Sequence, residues 1–437
     1  MQRLKEIVLK EKNNPKTIRS WCLYDWANSV YSLIITSTLF PVYYGIVDKN
    51  ETGGNSITFF GFEVLNSALF SFAIAASFLI SGILSPFLSS AADLSGYRRR
   101  FLFGFCVIGS ISCAALFGFE SSNLEFGILT FVLAAVGYSS SIVFYNSFLP
   151  NIASPDKYAS VSARGFSLGY AGSVLLLLLI LVPIFLPDLP IFQGLTFEKI
   201  CRIGFILTGI WWLVFGFISV SGLPQSEKEI GFHFTFRAVL GRLQTALQTV
   251  KVVKGLNWFL MGFFFINTGV QTVMYMAAIF GDIELHLSSD KLILTILILQ
   301  IVAIFGAYLF SKISEKTSDT TTLLLACALW IVVCFAAFFV QTDVQFYGVA
   351  ALVGLVMGGS QSMLRSTFTH FLPNREHGKS AMYGLYDLLD KFSIVLGTLV
   401  FGLTNQLLGN MRASALGLVV FFVLGGIFIK KMAGKNA

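Results

Sequence analysis

Windows of about 20 predominantly apolar residues recur along the whole 437-residue chain, each long enough to cross a bilayer as a helix. No other feature constrains the fold as strongly. Hydrophobic residues make up 55% and charged residues 12%, against roughly 25% charged in ordinary soluble domains. The chain reads as all-α, a polytopic membrane protein of twelve spans near 24–47, 65–90, 101–119, 125–149, 161–186, 203–223, 257–280, 291–311, 321–340, 345–370, 382–408 and 413–430. An outer loop holding Asp48–Asn55 follows the first span, with a sequon at Asn50-Glu-Thr52.

Charge sets the orientation. The net charge of +7 comes from 30 Lys and Arg, of which 24 fall in one set of loops and helix ends, 5 in the other, and Lys391 inside a span. That bias is the positive-inside signature, so both termini are expected in the cytoplasm and the basicity needs no nucleic-acid partner. The first 20 residues are polar and basic, with no apolar core or cleavage site, and do not read as a signal peptide. Cys22, Cys106, Cys113, Cys201, Cys327 and Cys334 form no C-x-x-C and read as small hydrophobes.

The long polar interval after span 6 divides the chain into a six-span bundle over 1–223, a cytoplasmic linker over 224–256 and a second bundle over 257–437. Within the linker Val239, Leu243, Ala246, Leu247, Val250 and Val253 repeat at helical spacing between Arg242, Gln244, Lys251 and Lys254, an amphipathic helix for the membrane interface or the bundle. Two six-span halves around a central path describe a transporter.

Polar residues inside spans are the candidates for function, because a carboxylate in hydrocarbon costs roughly 2.5–3.5 kcal/mol on the translocon scale. In span 1 Asp25, Asn28, Ser29, Ser32 and Thr36 form one stripe at i, i+3, i+4, i+7 and i+11. Asp25 either pins the first turn of its helix or serves a gate or ligand. In span 7 Asn267, Gln271 and Tyr275 share one face, as substrate ligands or an interhelical ladder. In span 11 Asp387, Asp390 and Lys391 share one face in the cytoplasmic third, and Arg365 of span 10 lies at similar depth. The four form either a charge network closing a gate or a proton carrier with its counter-ion. Arg164 and Asn146 are lesser candidates, and Gly165, Gly169 and Gly172 suit close helix packing.

The loop Asp93-Leu-Ser-Gly96-Tyr-Arg98-Arg-Arg resembles the helix 2–3 motif of the major facilitator superfamily, G-x-x-x-D-R-x-G-R-R, with Ser89, Leu94 and Tyr97 departing from it. Ser311-Lys-Ile-Ser-Glu315-Lys316-Thr-Ser resembles its copy after span 8. Tyr24-Asp25-Trp26-Ala27-Asn28-Ser29 and Phe40-Pro41-Val-Tyr-Tyr44 resemble the branch named for a fungal vacuolar amino-acid effluxer, as do Gly358-Gly-Ser-Gln361-Ser-Met-Leu-Arg365-Ser and the segment from Gly384. The resemblance covers nearly the whole chain. It implies the major facilitator fold, spans 1 and 7 lining a central cavity, Gln361 among the substrate ligands, and a latch of Asp93, Gly96, Arg98 and Glu315. It further implies a secondary transporter, with amino acids one substrate class.

Other classes are poorly supplied. No H-E-x-x-H is present, and Gly358-Gly-Ser-Gln-Ser lacks the G-x-S-x-G elbow. His233, His286, His370 and His377 sit in loops or at helix ends, so neither a catalytic residue nor a metal or cofactor is expected. Pro373–Ser380 ends like a phosphate loop but starts with Pro and follows no strand. The expected partners are the bilayer and a small-molecule substrate, coupled to protons if the charges of span 11 titrate. The alternatives are a lipophile exporter and a non-transporting receptor of the same fold.

Overall fold

The computed structural model describes residues 12–51, 56–225, 235–372, 378–408 and 411–436. The first span is longer than its apolar stretch predicts. Helix α1 (Pro15–Val30) starts on a Pro at N1 behind the Asn14 cap, passes into a π-helical segment (Tyr31–Leu39) and continues as α2 (Phe40–Glu51). A hairpin comes next, β1 (Ser56–Phe59) pairing antiparallel with β2 (Phe62–Leu65) in the register Ser56 with Leu65 through Phe59 with Phe62. Phe60 and Gly61 between them both have positive φ, as a two-residue I′ turn requires. The sequon reaches outside the described residues, as do His233, His377 and most of Pro373–Ser380.

The rest of the first half comprises α3 (Asn66–Ser95), α4 (Arg98–Ala115), α5 (Leu124–Ser147), the single turn α6 (Leu149–Ile152), α7 (Tyr158–Phe185) and α8 (Phe197–Ser221). The linker carries α9 (Phe236–Val252). The second half comprises α10 (Leu256–Leu285), α11 (Ser289–Lys316), α12 (Asp319–Phe339), α13 (Asp343–His370), α14 (Lys379–Leu408), α15 (Met411–Gly417) and α16 (Val419–Asn436).

Ten helices among the described residues are long and apolar enough to cross a membrane. The first span and α14 complete twelve. They are the two that carry the most polar chemistry: the first has its ladder rewound at the π segment, and α14 holds Asp387, Asp390 and Lys391. Leu79, Ile83, Ile111, Leu133, Leu179, Phe217 and Phe305 are exposed on the outside, while Asp25, Asp93, Arg98, Arg365, Asp387 and Lys391 are buried within. That inversion of the usual soluble pattern is what a lipid solvent selects.

Buried apolar side chains form two main clusters, one on spans 1–6 and one mainly on spans 7–12, which Val143, Ala159 and Tyr170 of the first half and Ala246 of the linker also join. Each is the core of one six-helix bundle. The bundles meet where α3 packs on α14, α5 on α14, and α7 on α11 and α13. Within the first bundle, small residues let α7 approach α1 closely: a Cβ on Gly165 of α7 would lie 2.6 Å from Asp25 Oδ2, and one on Gly169 2.4 Å from Ser29 Oγ. Trp21, Trp212 and Trp330 are fully enclosed, and all six cysteines are buried and unpaired.

Candidate functional site

Asp25 is not a first-turn residue. Its helix begins ten residues earlier, at Pro15, and the carboxylate lies inside the protein at 6% exposure. Its partner is Arg365 of α13, 3.2 Å from Asp25 Oδ2, so the ion pair joins the two bundles. Tyr145 of α5 donates its hydroxyl to the same oxygen at 2.7 Å. Arg365 spends its other donors on the first bundle as well: Nε on Ser162 Oγ at 2.9 Å, Nη2 on Ser162 O at 2.7 Å and Nη1 on Asn146 Oδ1 at 3.4 Å. Phe166, Trp21 and Tyr145 enclose the guanidinium, the Phe166 ring centre 4.0 Å away. A buried cation wants every N–H satisfied, and here the opposite bundle satisfies them. Arg365 therefore faces Asp25 rather than the acids of span 11.

A second closure lies at the same end. Asp93 accepts from the backbone N–H of Ser380 at 3.2 Å and of Ala381 at 2.9 Å, the free donors of the first turn of α14. Arg98 holds the same carboxylate at 3.1 Å and donates to Ser147 O at 3.2 Å. Gly96, with φ +70°, makes the left-handed turn that ends α3 and folds Arg98 back onto Asp93. The expected copy after span 8 differs. Glu315 lies in the last turn of α11, exposed, with no partner among the described residues. Asp319 occupies that corner instead, accepting from Ser314 and lying 3.4 Å from both Thr367 Oγ1 and His370 Nε2.

The third assembly sits deeper. Asn267 Nδ2 donates to Asp390 Oδ1 at 2.7 Å and to Ser393 Oγ at 2.6 Å, and Gln271 Nε2 reaches Asp390 Oδ1 at 3.4 Å. Lys391 Nζ lies 2.7 Å from Asp390 and 3.1 Å from Asp387. Ser85 of α3 stands beside Asp387, and Phe78 beside Lys391. Two carboxylates on one ammonium leave the group net negative. The Asp390 side chain is 21% exposed, against 7% for Asp387.

Further along span 1 the polar stripe has one exposed member. Ser32 is exposed although Tyr31 and Leu33 on either side are buried, and Gln271, Tyr275 and Tyr138 are partly exposed. Ser32 lies beside Tyr138, and Tyr275 near Lys391 and Asp390. The stripe does not continue as 3.6 periodicity predicts. The π segment starts at Tyr31 and rotates the residues after it, leaving Thr36 beside Tyr31. Asn28 is buried beneath. Gln361 accepts from Tyr170 of the other bundle at 2.8 Å. Arg164 is exposed. No sequence pattern marks Tyr145, Ser162 or Tyr138; the one available signal is that a buried Arg365 demands acceptors.

Two six-helix bundles, joined at one end by the Asp25–Arg365 ion pair and the Asp93–α14 hydrogen bonds and carrying partly exposed polar side chains beyond them, have the architecture of a transporter of the major facilitator class. The chain belongs to the vacuole effluxer Atg22-like family, whose model matches residues 13–436. An uncharacterized MFS-type transporter, YxiO, of Bacillus subtilis is 29% identical over 96% of this chain and 95% of its own length. Autophagy-related protein 22 of Chaetomium globosum is 25% identical over 91% of this chain and 77% of its own. Among solved structures, the proton:xylose symporter XylE superposes with a TM-score of 0.71 at 13% identity, covering 95% of each chain. The transporter FucP in its outward conformation gives 0.68 at 11% identity, over 96% of this chain and 99% of its own.

Proposed function

We propose that the protein is a secondary active transporter of small polar solutes, amino acids or related zwitterions, working by alternating access of its two bundles. The observation that carries this reading is the set of exposed and partly exposed polar side chains Ser32, Tyr138, Gln271, Tyr275 and Asp390, which we read as lining a hollow between bundles that Asp25–Arg365 and Asp93–α14 join at one end. Amides, hydroxyls and a net negative charge group suit an ammonium and its hydrogen-bonding neighbours better than a lipophile. The sealed end bears Arg98–Arg100, Lys157, Lys316 and Lys430–Lys431, which supports a cytoplasmic orientation in a cell membrane with both termini inside. The state described is then closed to the cytoplasm, in keeping with its likeness to FucP in the outward conformation. Asp93, Gly96 and Arg98 serve as the latch, and Asn28, Asn267 and Gln361 support or contact the substrate.

The test is a thermal-shift screen of the purified protein against amino acids, peptides, sugars and nucleosides, followed by radiolabelled flux in proteoliposomes. A bound solute stabilises the folded state by mass action. Stabilisation by amino acids with flux of the same compounds is the expected result. Stabilisation without flux would turn the reading toward a receptor.

A further inference from the structure

Bundles that rock as rigid bodies keep the contacts inside each bundle and renew those between them. The buried acids divide on that criterion. Asp387 and Asp390 carry their cation, Lys391, on their own helix. Asp93 would give up two N–H donors of α14 yet keep Arg98 of its own bundle. Asp319 meets Ser314, Thr367 and His370, all within the second bundle. Asp25 differs from all of these. Its cation stands on the other bundle, and opening of the basic end leaves it the Tyr145 hydroxyl alone.

We propose that Asp25 is a proton-binding site that exchanges Arg365 for a proton when the basic end opens. The inference rests on the alternating-access reading above. A lone carboxylate among Trp21, Tyr145 and Phe166 bears a large desolvation cost, and a neutral acid does not. The titratable and charged groups around it supply no second cation in contact. They are Cys22 on its own helix, Tyr138 and Tyr145 on α5, Tyr170 on α7 and Arg365 on α13, while Arg164 of α7 is exposed and α8 presents Trp211 and Trp212. A hydronium entering from the opened end gives its proton to Asp25 Oδ2, forming an O–H bond and leaving water. On closure Arg365, charged throughout, returns; the O–H bond breaks and the proton passes to water in the hollow. Ser29 and Ser32, one and two turns along the helix, mark that way out. Opening thus consumes a proton from one side and closing releases it toward the other.

Spin labels at Lys157→Cys and Thr317→Cys, exposed at the basic end of opposite bundles, report the opening by pulsed distance measurement; the six native cysteines are buried. Acidification should move the wild-type distribution toward longer distances. Asp25→Asn should abolish that response, and so should Arg365→Gln, which removes the cation for which the proton is exchanged. Asp390→Asn should retain it. A wild-type distribution indifferent to pH overturns the proposal, as does an Asp25→Asn protein that still follows pH. Loss of the response in Asp390→Asn alone would place the proton on α14 and overturn it too. A pH-driven opening that depends on Asp25 but moves no solute in proteoliposomes would remove the transporter reading and leave the proton site standing.

Discussion

Arg365 and Asp25 show how much one buried pair can carry. Taking away either partner strands a charge inside the protein, which costs about 3–5 kcal/mol, whereas removing both leaves only lost packing. Arg365→Met and Asp25→Asn should each lower the thermal midpoint markedly, and the double variant by less than their sum, measured as unfolding in detergent. Gly165 offers a second test at this scale. A methyl there meets Asp25 Oδ2 at 2.6 Å and Arg365 Nη2 at 3.0 Å, so Gly165→Ala should cost about 1–3 kcal/mol through overpacking and loosen the ion pair. The spacing of Asp25, Asn28 and Ser29 was legible in the sequence, but their partner was not. Arg365 is 340 residues away from Asp25, and nothing local ties it to that acid rather than to Asp387 or Asp390.

At the scale of elements, the amphipathic linker helix is used as its pattern predicts, and its place adds meaning. Helix α9 packs on α3, α10 and α14: Val239 joins Ala91 and Leu94, Phe236 stacks on Phe87 at 6.3 Å, and Ala246 enters the core of the second bundle. It straps the seam that the Asp93 latch also closes. Three residues separate it from α10, so it travels with the second bundle and must release α3 when the basic end opens. Val239→Asp should weaken that grip and lengthen the Lys157→Cys to Thr317→Cys label distance at any pH. Asp93→Ala removes an anion from the first turn of α14 and strands the buried Arg98, a loss of about 3–5 kcal/mol, and should shift the same distance in the same direction. The π segment of the first span had no sequence signal. Its residues suit an ordinary helix, and its register comes from packing against α7 and α8.

For the whole molecule, the two bundles form one machine only if the seam opens. Ser147 and Ser380 face each other across it with hydroxyl oxygens 3.3 Å apart. Ser147→Cys with Ser380→Cys should form a disulfide under oxidant, hold the basic end shut and abolish flux in proteoliposomes. Reduction should restore it. A cross-linked protein that still transports would show that this seam does not need to part.

The twelve spans, the two halves and the linker helix are legible in the chain, because each depends on apolar length and local periodicity. So are the residues too polar for lipid: Asp25, Asn267, Gln271, Arg365, Asp387, Asp390 and Lys391. Their partners come from the folded arrangement, which gives Asp25 to Arg365 and Asp390 to Asn267 and Lys391. It likewise put Asp319 where the motif pointed to Glu315. The physical reason is that hydropathy is a property of consecutive residues, whereas pairing depends on distances that chain neighbours do not set. Rotation of one helix by a single π turn, or approach over one glycine, is enough to reassign a buried charge.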